Sequence, residues 1–401
     1  MILARNRWLV KKFVNRTLNI PGLISYQAGQ EISKGITLET AIDLQQTKRL
    51  PLSKPIIVNM IVCAVIGAAF GIPSRSIPAW LIGGLLFGLV MGLAMEAIFS
   101  RVQHRPRLYH RHLILLVLFE AVVTTFVFVP LYAARFSVYP VRFPITIDPA
   151  DLGLTYENVT IPTADGVTLA GWYFPSQNGA AIIALHGYNG NRSQVIYHAQ
   201  ALIQHGYGVL ALDLRAQGES SGDKSVGGWE GTVDIPAAVD FLQHRSDVDP
   251  QRIGAIGFSA GANTIINGAV ETEGIQAIIA DGLGANSRED VANPIPPQFQ
   301  AIWGLMSPIY WMFDRGMEIF SGIPAASPFK MLLPQIAPRP ILFITAGRDI
   351  EQFLGREYQK AAGETAELWE LPDDIHIGGF LAHPQEYTER MVSFFDKHLL
   401  D

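Results

Sequence analysis

The feature that most constrains this chain is the stretch Arg252 to Asn263. An apolar run of small and β-branched residues, Ile253-Gly254-Ala255-Ile256, leads into Gly257-Phe258-Ser259-Ala260-Gly261, and a helix-compatible segment follows. This pattern predicts a strand, a sharp turn and a helix, with Ser259 on the turn and its Oγ exposed at the C-terminal edge of a sheet. A side chain at position 257 or 261 would crowd the strained backbone of the turn. The following helix would present its positive N-terminal end to developing negative charge. With 37 glycines in the chain the short motif also arises by chance, so the surrounding sequence has to decide its meaning.

The back half supplies that context. Strands are expected at 158–161, 167–174, 180–185, 208–212, 253–257, 275–280, 341–345 and 366–371, with helices near 193–205, 235–245 and 385–399. Short continuous apolar runs of this kind suit strands buried on both faces. Their alternation with helices implies βαβ units, a mostly parallel sheet and right-handed crossovers. Residues 290–334 interrupt the alternation with an apolar segment rich in Trp, Tyr, Phe and Met. It is expected to form a helical cap over the site, lining an acyl or aromatic pocket or touching a bilayer.

A serine hydroxyl needs a base, an acid that orients the base, and donors for an oxyanion. Asp349 follows the strand expected at 341–345, and His376 lies on the loop after the strand at 366–371. Both therefore leave the C-terminal edge that carries Ser259, and the order Ser259, Asp349, His376 is the one expected on this kind of turn. The expected oxyanion donors are the backbone N–H groups of Ala260 and Tyr188, the latter in the loop His186 to Arg192. His383 is a rival base, but Pro384 behind it reads as the first position of the last helix. Asp281 is a rival acid, and His186 reads as a packed loop histidine. No His-Glu-x-x-His or paired-cysteine motif is present, and no phosphate loop ending in Lys-Ser/Thr, so neither a metal nor a cofactor is expected.

From about residue 155 to 401 the chain resembles an α/β-hydrolase, in the style of the dienelactone-hydrolase and acyl-peptidase branch. The resemblance rests on His186-Gly187, Asp213-Leu214-Arg215, the turn at 257–261, and the spacing of Asp349 and His376. It covers about 60% of the chain. It implies an α/β-hydrolase sheet, and it places the usual acid at Asp349. Arg215-Ala216-Gln217-Gly218-Glu219-Ser220 departs from the Arg-Gly-His-Gly-x-Ser of relatives, in a loop that supports the site rather than reacting.

The front half differs in kind. Residues 1–144 carry 16 Lys and Arg against 5 Asp and Glu, whereas residues 145–401 carry 14 against 31, which points to two environments. The basic charges flank long apolar runs, so a nucleic-acid partner is not expected. Residues 55–74 and 76–95 hold no charge, and 113–134 hold only Glu120. Each is long enough to cross a hydrocarbon core of ~30 Å as helix. Three transmembrane helices are expected, at about 55–74, 76–98 and 113–134, within a region spanning 55–136. Gly84, Gly88 and Gly92 form a small face for close helix packing. Basic residues number nine in 1–54, one between the first two runs, four in 101–111 and two after the third run. That alternation places the basic segment 1–54 in the cytoplasm and the hydrolase domain, 145–401, outside it, in an integral membrane protein. Glu120 reads best as a carboxyl with a structural partner. The lone cysteine, Cys63, can form no disulfide within the chain.

The function expected is a membrane-anchored serine hydrolase cleaving a small acyl ester or lipid-like substrate through an acyl-enzyme. A serine peptidase and a non-catalytic hydrolase-fold domain on a membrane stem stand as alternatives. Oligomeric state is not legible.

Overall fold

The computed structural model describes residues 77–102, 106–348 and 350–401, together with eight helical positions between 56 and 67. From Glu157 onward the chain builds an eight-stranded sheet. The strands are β1 (Glu157–Pro162), β2 (Thr168–Phe174), β3 (Ala181–Leu185), β4 (Gly208–Leu212), β5 (Ile253–Phe258), β6 (Ala277–Asp281), β7 (Ile341–Ala346) and β8 (Ala366–Leu371). Their order across the sheet is β1-β2-β4-β3-β5-β6-β7-β8. β2 is antiparallel to both its neighbours, and all other pairs are parallel. The sequence explains this layout. β3, β4 and β5 are uninterrupted apolar runs buried on both faces, and β6 and β7 depart from this only at Asp281 and Thr345, whereas β1 at the edge is mostly open to solvent.

Helices cover both faces. Before the sheet come α1 (Ile77–Val102), α2 (Pro106–Val123) and α3 (Val129–Val138). Within and after it come α4 (Ile196–Gln204), α5 (Gly231–Gln243), α6 (Ala260–Glu271), α7 (Arg288–Ala292), α8 (Trp303–Ser321), α9 (Phe329–Ile336), α10 (Ile350–Ala362), α11 (Gly379–Ala382) and α12 (Pro384–Phe395). On one face α5, α6, α9 and α10 bury residues such as Ile235, Ile265, Leu333 and Tyr358. On the other, α4 and α12 bury Leu202, Tyr387, Met391 and Phe395. Phe329 and Leu333 belong to the main core, so the end of 290–334 packs on the sheet, while α8 stands away from it. Register aligns the C-terminal ends: Leu185 pairs with Gly257, Phe258 with Asp281, and Ala346 with Leu371. The loops after β3, β5, β6, β7 and β8 therefore leave from one edge, where open α/β sheets bind ligands.

The front half corrects one expectation. Among the described residues one helix, Val117–Val138, is long and apolar enough to cross a membrane, by length and composition alone. The apolar part of α1 is the shorter Ile82–Ala94, and most of 55–74 lies outside the described residues, as does the segment 1–54. Three spans are therefore not supported. The span candidate is also shifted by four residues from 113–134, and Pro130 does not end the helix. Pro130 has no N–H for the residue-126 carbonyl, and the ladder widens into a π-helical turn at Thr124–Phe128 just before it. The α2–α3 helix thus continues to Val138. The glycine face does bring helices together: a Cβ at Gly88 would lie 2.6 Å from Met60 Cα, and one at Gly92 2.7 Å from Ile56 Cα. Glu120 accepts a hydrogen bond from Asn59 Nδ2 at 3.0 Å, the structural partner expected of it.

The long helix is stitched to the hydrolase body. Ala134, Val138, Val226, Trp229 and Met317 form a small core of their own. The Tyr188 hydroxyl donates to the Phe136 carbonyl at 2.5 Å. Arg142 donates to the carbonyls of Gln217, Gly218, Ser220 and Gly222 at 2.5 to 3.4 Å. These are the carbonyls of the loop whose sequence departs from Arg-Gly-His-Gly-x-Ser.

Candidate active site

Ser259 stands between β5 and α6 with φ +52° and ψ −114°, a conformation that an L-residue keeps only under constraint. The constraint is visible. Its N–H donates to the Asp281 carbonyl at 2.8 Å, and its carbonyl accepts from Asn263 N–H at 3.1 Å. A Cβ on Gly257 would stand 2.5 Å from Ala262 N, and one on Gly261 would stand 2.7 Å from the His186 carbonyl oxygen. Ala260 opens α6, so its N–H is among the first-turn donors that no helical carbonyl can take.

His376 lies on the loop after β8. Its Nδ1 is 2.5 Å from Glu351 Oε2, and the ring is half exposed while the carboxylate is 13% exposed. Glu351 is in the first turn of α10, and its Oε1 accepts the Ala346 N–H at 2.7 Å, which pins the carboxylate to the end of β7. Asp349 lies outside the described residues. Two glycines locate the ring relative to the serine. A Cβ at Gly282 would lie 2.6 Å from His376 Cε1. A Cβ at Gly187 would lie 3.7 Å from Ser259 Cβ and 3.8 Å from Ile377 Cδ1. Ser259 and the His376–Ile377 turn thus meet above the ends of β3 and β6.

The rivals have other partners. His383 precedes α12, with Pro384 at its first position, and its Nε2 is 3.3 Å from Asp374. Asp281 is fully buried and accepts from the Tyr387 hydroxyl at 2.7 Å. Burial pushes its carboxyl up to about 7, against the hydrogen bond from Tyr387. His186 is buried between two backbone groups: Nε2 accepts the Leu214 N–H at 3.0 Å, so Nδ1 donates to the Gly187 carbonyl at 2.7 Å. Burial lowers its pKa, so it packs as a neutral ring.

Beside Ser259 is a cavity of about 430 Å³. Its floor is Ser259, Ala260 and Asn263, and Tyr188 and Trp229 form its sides. The loop Gly284–Arg288, the α8 residues Ile309, Tyr310, Phe313 and Met317, and Val129, Pro130, Ala133 and Ser137 of the long helix complete the lining. The lining is apolar apart from a few groups, among them Asp314, whose carboxyl burial pushes up while it accepts the Arg288 N–H. The loop is held by an amide pair, Asn267 and Asn286, at 2.9 and 3.1 Å, and by Asn263 Oδ1, which accepts Gly284 N–H at 3.1 Å. Sequence reasoning missed these asparagines, the α3 wall and Glu351. The signal for Glu351 was present as a second carboxylate two residues beyond Asp349.

Comparison with known proteins now fixes the family. Residues 165–293 match the X-Pro dipeptidyl-peptidase (S15) family. The uncharacterized protein YfhR of Escherichia coli (strain K12) is 30% identical over 292 residues, 70% of this chain and 93% of YfhR. The chain belongs to the YfhR family. The Arabidopsis thaliana alpha/beta hydrolase domain-containing protein WAV2 is similar as well, 27% identical over 288 residues, 68% of this chain and 87% of WAV2. Among solved structures, the Pyrococcus furiosus esterase Pf2001 superposes with a TM-score of 0.53 at 28% identity, covering 66% of this chain and 98% of the esterase. This YfhR-family chain has the α/β-hydrolase fold and is a hydrolase. Its residues 1–144 precede everything that the S15 match covers.

Proposed function

We propose that this protein is a serine hydrolase that cleaves carboxylic esters through an acyl-enzyme, anchored to a membrane by the helix Val117–Val138. The observation that carries the reading is Ser259, held at φ +52° on the elbow and opening into the largely apolar cavity. Ser259 Oγ attacks the ester carbonyl carbon while His376 Nε2 takes its proton. The oxyanion is received by the N–H groups of Ala260 and Tyr188. Collapse breaks the bond to the alcohol, which leaves with the proton from His376. Water then attacks the acyl-enzyme through the same base and releases the acid. A carboxylate of the 349–351 turn orients the imidazole; Glu351 is supported by its contact with Nδ1, and Asp349 by its place after β7.

The apolar lining favours an acyl group over a peptide. Asp314 supports the peptidase alternative, since a half-buried carboxylate in the lining could hold a peptide N-terminus, and the S15 match points the same way. The basic segment before the α2–α3 helix and the acidic body after it favour a body outside the cytoplasm, for one crossing as for three.

The decisive test is labelling of the purified full chain with a fluorophosphonate, beside turnover of a short p-nitrophenyl ester and an X-Pro peptide amide. Wild type should label and hydrolyse the ester, and Ser259→Ala should do neither. Equal labelling of the variant removes Ser259 from the mechanism, and faster cleavage of the amide than the ester makes the enzyme a peptidase.

A further inference from the structure

We infer that the substrate is a long-chain ester lipid drawn directly from the bilayer, its acyl chain passing between the anchoring helix and α8 into the cavity above Ser259. The inference rests on the serine-hydrolase reading and specifies its substrate.

The observation is that one helix serves two purposes. Val117–Val138 is apolar and long enough to cross a membrane, and its C-terminal part is a wall of the cavity that holds Ser259. A membrane stem needs no such role; a soluble hydrolase on a tether would carry its pocket within its own domain. Here Val129, Pro130, Ala133 and Ser137 line the pocket together with α8, against which the anchoring helix packs. The volume, about 430 Å³, lies in the range of about 300–1,000 Å³ usual for ligand sites.

The two walls run side by side in the same direction. Gly316 lies against Ala134, where a Cβ would stand 2.6 Å from the alanine Cβ, and the Tyr139 hydroxyl reaches the Phe320 carbonyl at 3.3 Å. Moving towards the N-terminus of α8 therefore means moving back along the anchoring helix, and α8 does touch the π turn Thr124–Phe128. Most exposed large apolar residues of the two helices lie towards that end, Ile319 near the C-terminus of α8 excepted. Val117, Leu118, Phe119, Val122 and Val129 are exposed on the anchor, as are Ile302 just before α8 and Leu305 and Trp311 in its first half. Water does not favour such a continuous apolar surface. With the anchor in the bilayer, the first turns of α8 lie beside its membrane part, and the seam between them leads from hydrocarbon to Ser259. An acyl chain moving along it never has to cross water. The ester carbonyl stops at Ser259, where the acyl C–O bond is cleaved and the alcohol departs.

The test uses the full chain in vesicles of diether phosphatidylcholine, which carries no ester to cleave, with fluorogenic esters of increasing acyl length. The first arm holds the bulk concentration of a long-chain ester constant and dilutes it in the surface with non-hydrolysable ether lipid. Access from the bilayer predicts a rate that falls in proportion to surface fraction; a rate that follows bulk concentration alone overturns the inference. The second arm changes the walls in opposite senses. Ala133→Trp, filling the cavity, should lower the long-to-short ratio of kcat/KM at least tenfold, and Phe313→Ala, enlarging it, should raise that ratio. Misfolding cannot move the ratio both ways. Ratios within twofold of wild type in both variants overturn the inference. A protein that labels with fluorophosphonate and cleaves short esters while failing both arms loses the lipid inference alone, whereas one that neither labels nor cleaves any ester loses the serine-hydrolase reading as well.

Discussion

The two halves of the site are held in different ways. Ser259 sits on backbone. Its dihedrals are fixed by a strand, a helix, two glycines that admit no Cβ, and a hydrogen bond to the neighbouring strand. His376 sits on side chains. It is half exposed, on a loop, and its described partner is a carboxylate that reaches it from α10. Backbone constraint writes itself into sequence, because glycine at a close approach has no substitute. Side-chain convergence does not, because a carboxylate two residues along the chain can reach the imidazole as the expected one would. The first half was therefore legible as a motif, and the second only as an order of residues along the chain.

The largest effect that can break this contrast is at the base. His376→Ala should lower ester turnover by roughly 10³–10⁴-fold, since the serine loses its proton acceptor. His383→Ala should stay within a few-fold of wild type, because His383 pairs with Asp374 at the head of α12. Steady-state kinetics on one ester decides, and a reversal of the two would move the active loop to the start of α12.

A smaller effect sharpens the acid. Glu351→Gln keeps the shape and removes the charge beside Nδ1. If Glu351 is the orienting carboxylate, kcat should fall about 10²-fold or more with KM little changed, and the pH profile should move. Asp349→Asn, made in parallel, should then cost less. If Asp349→Asn costs more, the contact seen at Glu351 supports the loop and not the chemistry.

On the nucleophile side the expected signature is loss of stability. Gly261→Ala places a methyl against the carbonyls of Leu185 and His186. Overpacking of this kind costs about 1–3 kcal/mol, so the urea midpoint should fall by that equivalent and labelling of Ser259 should fall with it. An unchanged midpoint would show that the turn at Ser259 yields, and the contrast between a backbone-held serine and a side-chain-held histidine would lose its basis.

How far the sequence carried the reading follows the same division. The apolar runs at 180–185, 208–212 and 253–257 became the central strands β3, β4 and β5, because continuous hydrophobicity in five residues leaves few alternatives inside a covered parallel sheet. Gly84, Gly88 and Gly92 marked a helix contact for a similar steric reason. The wall that α3 gives the cavity was not legible. Val129, Pro130 and Ala133 read as ordinary members of an apolar run, and nothing local records that α8, some 180 residues later, lies along them. Glu351 was hidden likewise, as one acid in the polar first turn of a helix, where acids are common for electrostatic reasons.

The smallest predicted effect concerns Asp281, which touches both halves: its carbonyl takes the Ser259 N–H, and its side chain lies under the base loop. Burial raises its carboxyl from 3.8 to about 7, opposed by the Tyr387 hydroxyl and by His376 and reinforced by the charge of Glu351. The folded state therefore holds this proton more tightly than the unfolded chain does. A raised folded value contributes stability that is fully present below about 4 and is lost as the pH rises through about 7. The slope cannot exceed about 1.4 kcal/mol per pH unit for one group. Asp281→Asn removes the titration and keeps an acceptor for Tyr387. Urea unfolding of both proteins at pH 5 and pH 8 should show wild type losing more stability across the interval than the variant. Titrating groups not coupled to Asp281, such as Asp234 and His186, are common to the two proteins and cancel in the difference. Equal losses would mean that Asp281 is ionised in the folded protein throughout, held by Tyr387 as an ordinary buried acceptor, and that the ground beneath the base is as fixed in charge as the elbow is in geometry.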